Sequence, residues 1–402
     1  MTRIFAATAA LLALGACGSK GESGTPAERL GFVRHADAVQ FPASSDWVPG
    51  GTGLRQLVPL QGCVLGIGSY ANGFRTVGAN WAGADDCTRL VLSPSPGAEN
   101  GAQRDLPQSK GSGWSGGGLS GNSVVVMDDG SLIAVGSRFL RRDPAGEVHQ
   151  LAEFTLPPRA ENSEGTGSPA VRALTRVGGR LLAAGTGVVD GRAAAVVWES
   201  DDAGATVRQI PLPTAPGLPA DDYPWIMTSD GDSVLATSFS AGRVIRTWVS
   251  ADGGRTWTAS ATPSTEDQWI VHSLVRQGGE WLILGTVTNP KGPDTPLVLS
   301  STDGVRWTRG DTSTMGAGGI VASTRDHEGG LVLVGQIDQV TGDPNTRPEY
   351  CGVVWVRKDL GWDRGELGCD ESPPTAAITL ADGRVLIAGN RHLWIRNVGP
   401  AH

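Results

Sequence analysis

Seven times along the chain a short hydrophobic run stands between turn-forming residues: "QGCVLGIGS", "DGSLIAVGS", "GGRLLAAGT", "GDSVLATSF", "GGEWLILGT", "GGLVLVGQ" and "DGRVLIAGN". The runs close at Gly68, Gly136, Gly185, Thr237, Gly285, Gly335 and Gly389, so by subtraction they recur at intervals of 68, 49, 52, 48, 50 and 54 residues. A repeat of this kind constrains the fold more than any single residue does. Each unit has a hydrophobic face that only its neighbours can cover.

Each copy leads into a second β-rich run, a tight turn and often a short strand ending in proline. The second runs are "RLVLS", "AVVWES", "RTWVSADG", "PLVLSSTDG", "GVVWVRKD" and "HLWIRN". A period of about fifty residues with this content fits an antiparallel meander of four strands, one blade of a β-propeller. The expected fold is all-β: a seven-bladed β-propeller of four-stranded antiparallel blades, one domain over residues 31–402. The last copy ends after three strands' worth of sequence, which leaves its blade an outer strand short. "AVQFP" at residues 38–42 has the apolar-then-proline ending of "RDLP", "FTLPP" and "RQIPLP", which close other blades. It is therefore expected to join the C-terminal blade and shut the ring, removing open sheet edges.

Composition agrees with this reading. Glycine is counted at 58 and tryptophan at 13, while charged residues make up 18%, a profile of turn-rich β structure and not of helical or disordered chains. The net charge of -8 argues against a nucleic-acid partner, which calls for clustered basic residues. Lysine occurs only at Lys20, Lys110, Lys291 and Lys358, so positive charge is almost all arginine, as in proteins from GC-rich bacterial genomes.

The N-terminus "MTRIFAATAALLALGAC" has a basic residue, Arg3, then an apolar run too short to span a bilayer but suited to a signal-peptide core. Its end, Leu14-Gly15-Ala16-Cys17, resembles the bacterial lipobox, in which the cysteine is acylated and becomes the new N-terminus. That resemblance implies a signal peptide over 1–16, lipidation at Cys17, a flexible tether over 17–30, and export to the extracytoplasmic face of a bacterial membrane. Cys63, Cys87, Cys351 and Cys369 remain, an even number in an exported chain, and local pairs between strand-like runs are favoured. No metal site is expected, since the six histidines show no ligand spacing, and no cofactor motif appears.

Three turns share a pattern: "SDDAGATV" with Ser200, Asp202 and Gly204, "SADGGRTW" with Ser250, Asp252, Gly254 and Trp257, and "STDGVRW" with Ser301, Asp303, Gly304 and Trp307. The pattern resembles the Asp-box, or BNR repeat, of sialidase-like propellers, and "RKDLGW" at 357–362 is a degenerate fourth. The aspartates recur once per blade, where repeats need identical turns and a single active site does not. They are read as architecture: hydrogen bonds to the turn backbone, a glycine with positive φ, and a ring packed between blades.

Function is therefore expected on the opposite face. The long loops at 69–86 and 336–350, each in a blade with a cysteine pair, offer Tyr70, Arg75, Trp81, Asp343, Arg347, Glu349 and Tyr350. "SRFLRRDP" adds Arg138, Arg141 and Arg142, and linkers add Trp114 and Trp225. Two functions follow from the resemblance. A sialidase-like glycoside hydrolase would need three arginines around a carboxylate and a tyrosine nucleophile paired with glutamate; the Arg-Ile-Pro segment of that family is absent, and only Tyr70, Tyr223 and Tyr350 could serve. The favoured function is a non-catalytic binding or assembly protein that presents a loop-lined face to a protein or glycan partner near the membrane. The chain is similar in blade number and turns to a photosystem II assembly-factor family.

Overall fold

A computed structural model describes residues 27–40, 53–72, 75–93, 124–157, 171–214, 223–238, 243–290, 292–339, 349–358, 361–370 and 373–397. It is a seven-bladed β-propeller of four-stranded antiparallel sheets. The innermost strands of blades 1 to 7 are Gly53–Leu60, Val124–Val126, Val171–Val177, Pro224–Asp230, Gln268–Gln277, Gly319–Arg325 and Pro374–Thr379. In blades 1 to 6 the strands follow chain order outward; blade 7 takes its outer strand from the N-terminus.

That strand is Phe32–His35, with Phe32 opposite Arg396 and His35 opposite Leu393. It lies upstream of the segment expected from sequence. "AVQFP" shares the proline ending of other outer strands, but burial decides the matter: Phe32 is fully buried and fills the seam between blades 6 and 7. Residues 38–40 instead stitch blade 7 to blade 1. The Val39 amide donates to the Arg391 carbonyl, the Leu90 amide to Ala38 and the Gln40 amide to Leu90. Ala27–Leu30, read above as the end of the tether, form a 3-10 turn with Ala27 buried.

Seven hydrophobic clusters are formed by the described residues, and each lies between two neighbouring blades. Every sheet is thus buried on both faces. This accounts for the near-continuous hydrophobic runs, since a sheet buried on one face only would alternate. Tryptophans of the third strands reinforce four of the seams. The indole N–H of Trp81 donates to the Gln40 carbonyl, Trp248 to Pro213, Trp355 to Met315 and Trp394 to Leu367, at 2.7 to 3.0 Å. In each case the acceptor lies in or after the outer strand of the preceding blade. Trp81, expected to face a ligand, is therefore a core residue with no exposed surface.

The repeated glycine has a steric cause. In blades 1, 3, 4, 5, 6 and 7 the register between the inner and second strands slips by one residue near the start of the inner strand. A bulge there pushes the inner backbone against its partner. A Cβ at Gly68, Gly285 or Gly335 would fall on the carbonyl oxygen of Gly53, Ile270 or Gly319. In blade 4 the partner of Pro224 is Ser238, so serine holds the glycine's place and Thr237 lies one step away.

Both local disulfides are present. Cys63 joins Cys87, and Cys351 joins Cys369, its register partner on the adjacent strand. Such bonds belong to oxidising compartments. Among the described residues no helix is long and apolar enough to cross a membrane.

Two variants at one repeat register test the steric account. Gly285→Ala should cost about 3 kcal/mol in denaturant unfolding, because the added methyl meets backbone and cannot be accommodated by a rotamer change. Gly136→Ala, in blade 2, meets no described atom within 4 Å at the same point and should stay within about 0.5 kcal/mol of wild type. Equal losses at the two sites would contradict the bulge as the cause.

Candidate functional site

The meander gives the ring two ends. One end carries the turns from first to second and from third to outer strands; the other carries the second-to-third hairpins and the connections between blades. The three Ser-x-Asp turns lie at the first end. In blade 4 the Ser250 hydroxyl donates to Asp252 Oδ1 at 2.7 Å, and the amides of Arg255 and Thr256 donate to the same oxygen at 3.0 and 2.9 Å. The Thr256 hydroxyl donates to Oδ2 at 2.6 Å, and the Gly254 amide donates to Ser250 Oγ at 2.8 Å. Asp202 and Asp303 hold their turns in the same way.

Partial desolvation would raise the Asp252 pKa, but the bonds from Thr256, Ser250 and Arg255 outweigh it and hold the carboxyl at about 2. The amides of Arg306 and Val305 likewise push Asp303 far below the usual range. Asp202 is lowered first by the Thr206 amide and hydroxyl, then by Ser200. Carboxylates held ionised by their own turn are poor proton donors. Each turn also presses on the preceding blade. Gly204, Gly254 and Gly304 all have positive φ, and a Cβ on them would meet Phe139 and Leu151, Leu182, and Val249 respectively. Trp257 packs in the seam of blades 3 and 4, and the Trp307 indole N–H donates to Thr247 Oγ1 across the seam of blades 4 and 5. "RKDLGW" departs from the pattern: Arg357 pairs with Trp362 and Lys358 with Gly361, and the two residues between lie outside the described residues.

Other candidates separate. Arg138, Arg141 and Arg142 lie on a third strand, not on a loop. Arg138 pairs with Glu153 at 3.2 Å and Arg141 with Asp129 at 2.5 Å, while Arg142 stands opposite Val148. The described parts of 69–86 are largely strand, and 336–339 and 349–350 extend two strands, with Tyr70 opposite Val77, Asn72 opposite Arg75, and half-buried Tyr350 opposite Asp338; 340–348 lie outside the described residues. Cys17, Trp114, Asp343 and Arg347 lie outside the described residues. The two disulfides sit at different ends of their blades. Cys351–Cys369 lies beside the hairpin end, whereas Cys87 belongs to the third-to-outer turn of blade 1.

Sequence reasoning passed over three groupings. Asp143, Glu147 and His149 bring possible ligand atoms within 4.8 Å of one another, at an exposed turn of blade 2 that is tied by its own bonds: the Glu147 amide donates to Asp143, whose other oxygen meets His149 Nε2 at 3.3 Å. At the opposite end, the register slips place Arg55, Arg172, Trp225, His272, Val321 and Thr375 in one layer of the inner strands. Two neighbours in it touch: the Arg172 guanidinium lies 4.7 Å over the Trp225 ring, a cation–π pair, and Tyr223 is hydrogen-bonded to the same guanidinium. His272 is accessible to water yet walled in by protein, and desolvation lowers its pKa to about 4. The signal available in sequence was "DDYPWIM", which reads equally well as a linker.

The third grouping is a cavity of about 450 Å³ between blades 3 and 4 at the same end. Ala194, Ala195, Leu212 and Pro213 share its wall with Asp190, Arg192 and Thr214, and Arg246 is contributed by blade 4. Arg246 is only 2% exposed and stands 5.8 Å from the Trp248 ring centroid.

No family model and no curated relative matches the sequence. Among solved structures, the extracellular domain of BT4673 from B. thetaiotaomicron aligns over 92% of this chain and 41% of its own, with TM-score 0.50 and 10% identity. The chain thus spans about two fifths of that protein. An α-L-arabinanase of Penicillium chrysogenum complexed with arabinobiose aligns over 67% and 84%, with TM-score 0.44 and 14% identity. YCF48 bound to D1 peptide aligns over 70% and 94%, with TM-score 0.36 and 13% identity. At these identities the likeness is one of fold alone.

Asp252→Ala should lower stability by about 1–2 kcal/mol, the loss of a side chain that satisfies several turn donors. Because the folded pKa of Asp252 is depressed, its contribution is complete above the unfolded value of about 4 and disappears as pH falls toward about 2. The gap in unfolding free energy between wild type and variant should therefore narrow between pH 4 and pH 2. A gap that does not change over that window would show that the carboxylate's charge is not what holds the turn.

Proposed function

We propose that the chain is a non-catalytic binding or assembly propeller. In this reading Cys17 anchors it by lipid at the outer face of a bacterial membrane, the three Ser-x-Asp turns are Asp-boxes that brace the ring, and the hairpin end is presented to a protein or glycan partner. With Ala27 already packed on the ring, the tether covers residues 17–26. A rigid ring on such a tether raises the effective concentration of the binding face toward anything held in the same membrane.

The observation that carries the reading is where the arginines go. Sialidase-like hydrolysis needs three of them converging on one substrate carboxylate. Here the described arginines are spread around the seams. Arg176 binds Asp128 between blades 2 and 3, and Arg180 donates to the Gly253 carbonyl between blades 3 and 4. Arg276 faces Asp230 between blades 4 and 5, Arg396 faces Asp326 between 6 and 7, and Arg384 faces Asp86 between 7 and 1. The inner-strand layer at the hairpin end adds Arg55 and Arg172 with an indole and an imidazole, and none of its described residues is a carboxylate. Such a layer offers stacking and hydrogen bonding, which suit recognition, and among its described residues there is no pair of acids of the kind glycoside hydrolysis uses.

Crosslinking of the intact protein in its own membranes, followed by mass spectrometry, tests this. One stoichiometric partner is expected, lost in Cys17→Ala and weakened at least tenfold in Trp225→Ala. Release of 4-methylumbelliferone from a sialoside by the purified ring, abolished by Tyr223→Phe, would replace the binding reading with the hydrolytic one.

A further inference from the structure

The two disulfides are held in different surroundings. Cys87 is 3% exposed and, with half-buried Cys63, belongs to the apolar cluster between blades 7 and 1. It lies in a turn outside any strand, and the bond ties that turn to the second strand of blade 1. A Cβ on Gly83 would fall on the Cys63 sulfur, and Arg384 of blade 7 fastens the same turn by donating to the Asp86 carbonyl at 2.9 Å. Cys351 and Cys369 belong to none of the seven clusters. They stand directly opposite each other on the third and outer strands of blade 6, between the pairs Tyr350 with Asp370 and Gly352 with Gly368. Cys351 is buried, but Cys369 is exposed. In the folded ring this bond joins residues that strand pairing already holds together, and one of its two halves is open to water.

The anchoring of the outer strand stops just short of Cys369. Leu367 is 4% exposed in the seam of blades 6 and 7, and its carbonyl accepts the Trp394 indole N–H at 3.0 Å. Gly352 faces Gly368 while Val353 faces Glu366, so Leu367 is the extra residue of a bulge. Gly368 follows it with a φ of 101°, a conformation that suits glycine and brings no side chain to pack. Among the described atoms, only the Arg34 guanidinium comes within 4 Å of the place a Cβ on Gly368 would take. Gly368, Cys369 and Asp370 thus form the end of an outer strand beyond its last seam anchor, held by three register pairs and one covalent bond. A segment with so few buried contacts opens locally at lower cost than the blade beneath it.

We propose that Cys351–Cys369 is a reducible switch: a dithiol reductant opens it and releases the Gly368–Asp370 strand end at the hairpin end of the ring, while Cys63–Cys87 stays closed. One thiolate of the dithiol bonds to the Cys369 sulfur as the bond from Cys369 to Cys351 breaks, and Cys351 leaves as a thiolate that takes up a proton. The second thiolate of the reductant then attacks its own partner's sulfur, closing the reductant's disulfide and releasing Cys369, which is protonated in turn. Two electrons pass from the dithiol to the cysteine pair, and exchange with a disulfide oxidant reverses the step. The switch stands whether or not the hairpin end recruits a partner.

Reduced thioredoxin and, separately, dithiothreitol at about 1 mM are applied to the full mature chain without denaturant. Trapping with N-ethylmaleimide and peptide mass spectrometry follow each cysteine. Cys351 and Cys369 should be labelled at least about a hundredfold faster than Cys63 and Cys87. On reduction, hydrogen exchange should rise at least about tenfold at the amides of 368–370 and stay unchanged in the inner strand Gly319–Arg325 of the same blade. The thermal midpoint should fall by no more than about 5 °C, in a single transition. The double variant Cys351→Ser, Cys369→Ser should reproduce the faster exchange; should it fail to fold, the reduced wild type decides alone. Labelling of all four cysteines at one rate or of Cys63 and Cys87 first, resistance of Cys351–Cys369 to both reductants, exchange at 368–370 that reduction leaves unchanged, or unfolding of the reduced ring would each overturn the proposal.

Discussion

Burial of every sheet on both faces is the constraint from which the rest of this structure follows. A single blade exposes two apolar faces and cannot hold itself together in water, so stability resides in the seven seams. Each fully buried aliphatic side chain in a seam contributes about 1.5–3 kcal/mol, and a ring with one seam open would forfeit a whole cluster of them. Closure is therefore not decoration. Phe32 at the N-terminus and Trp394 near the C-terminus share one cluster, which ties the two ends of the chain together through core packing as well as through strand pairing.

The polar groups obey the same logic. Hydroxyl pairs link neighbouring inner strands: Thr175 with Ser229, Ser273 with Ser323, and Thr324 with Thr379, at 2.6 to 2.8 Å. Arginines reach across seams further out. Individually, exposed ion pairs are worth little, but they fix which residue meets which along an otherwise non-directional apolar contact. The most buried carboxylate of this set is Glu199, which accepts from both Arg180 and Arg208, while Arg180 also donates to the turn at Gly253. One charged cluster thus secures blade 3 and anchors the neighbouring Ser-x-Asp turn to it.

The fold was legible because repetition multiplies a weak signal. One glycine-flanked run says little; seven at a near-constant interval leave few architectures. What the glycine does was not legible, because the oxygen it avoids belongs to a strand about fifteen residues earlier and meets it only through the bulge. The same gap misplaced blade 4 by one residue, since Ser238 is small enough to stand in for glycine and does not look like it. Tryptophans misled in the opposite direction. In a polar, glycine-rich stretch Trp81 resembled an exposed binding residue, yet its register opposite Gly66 puts it in the series with Trp198, Trp248, Trp355 and Trp394. The closing strand was sought by its ending when burial of its aromatic residue was the better guide.

The two ends of the ring answer to different physical demands, and this decides where a site can form. At the turn end the three Ser-x-Asp connections must satisfy their own backbone and press on the preceding blade, so aspartate, serine and glycine are used up by local geometry. At the hairpin end the start of the third strand carries side chains of different size from blade to blade, Ala194 and Ala195 in blade 3 against Ile245 and Arg246 in blade 4. Alanines in blade 3 and an arginine in blade 4 can then appear in place of aliphatic residues without breaking the ring, because the seam is already held below them by Leu182, Trp248 and their neighbours. A cavity with a buried charge is tolerable only where the surrounding packing is redundant. The seam between blades 3 and 4, which also has the Trp248 bond, the Arg180 bond and the hydroxyl pair, meets that condition.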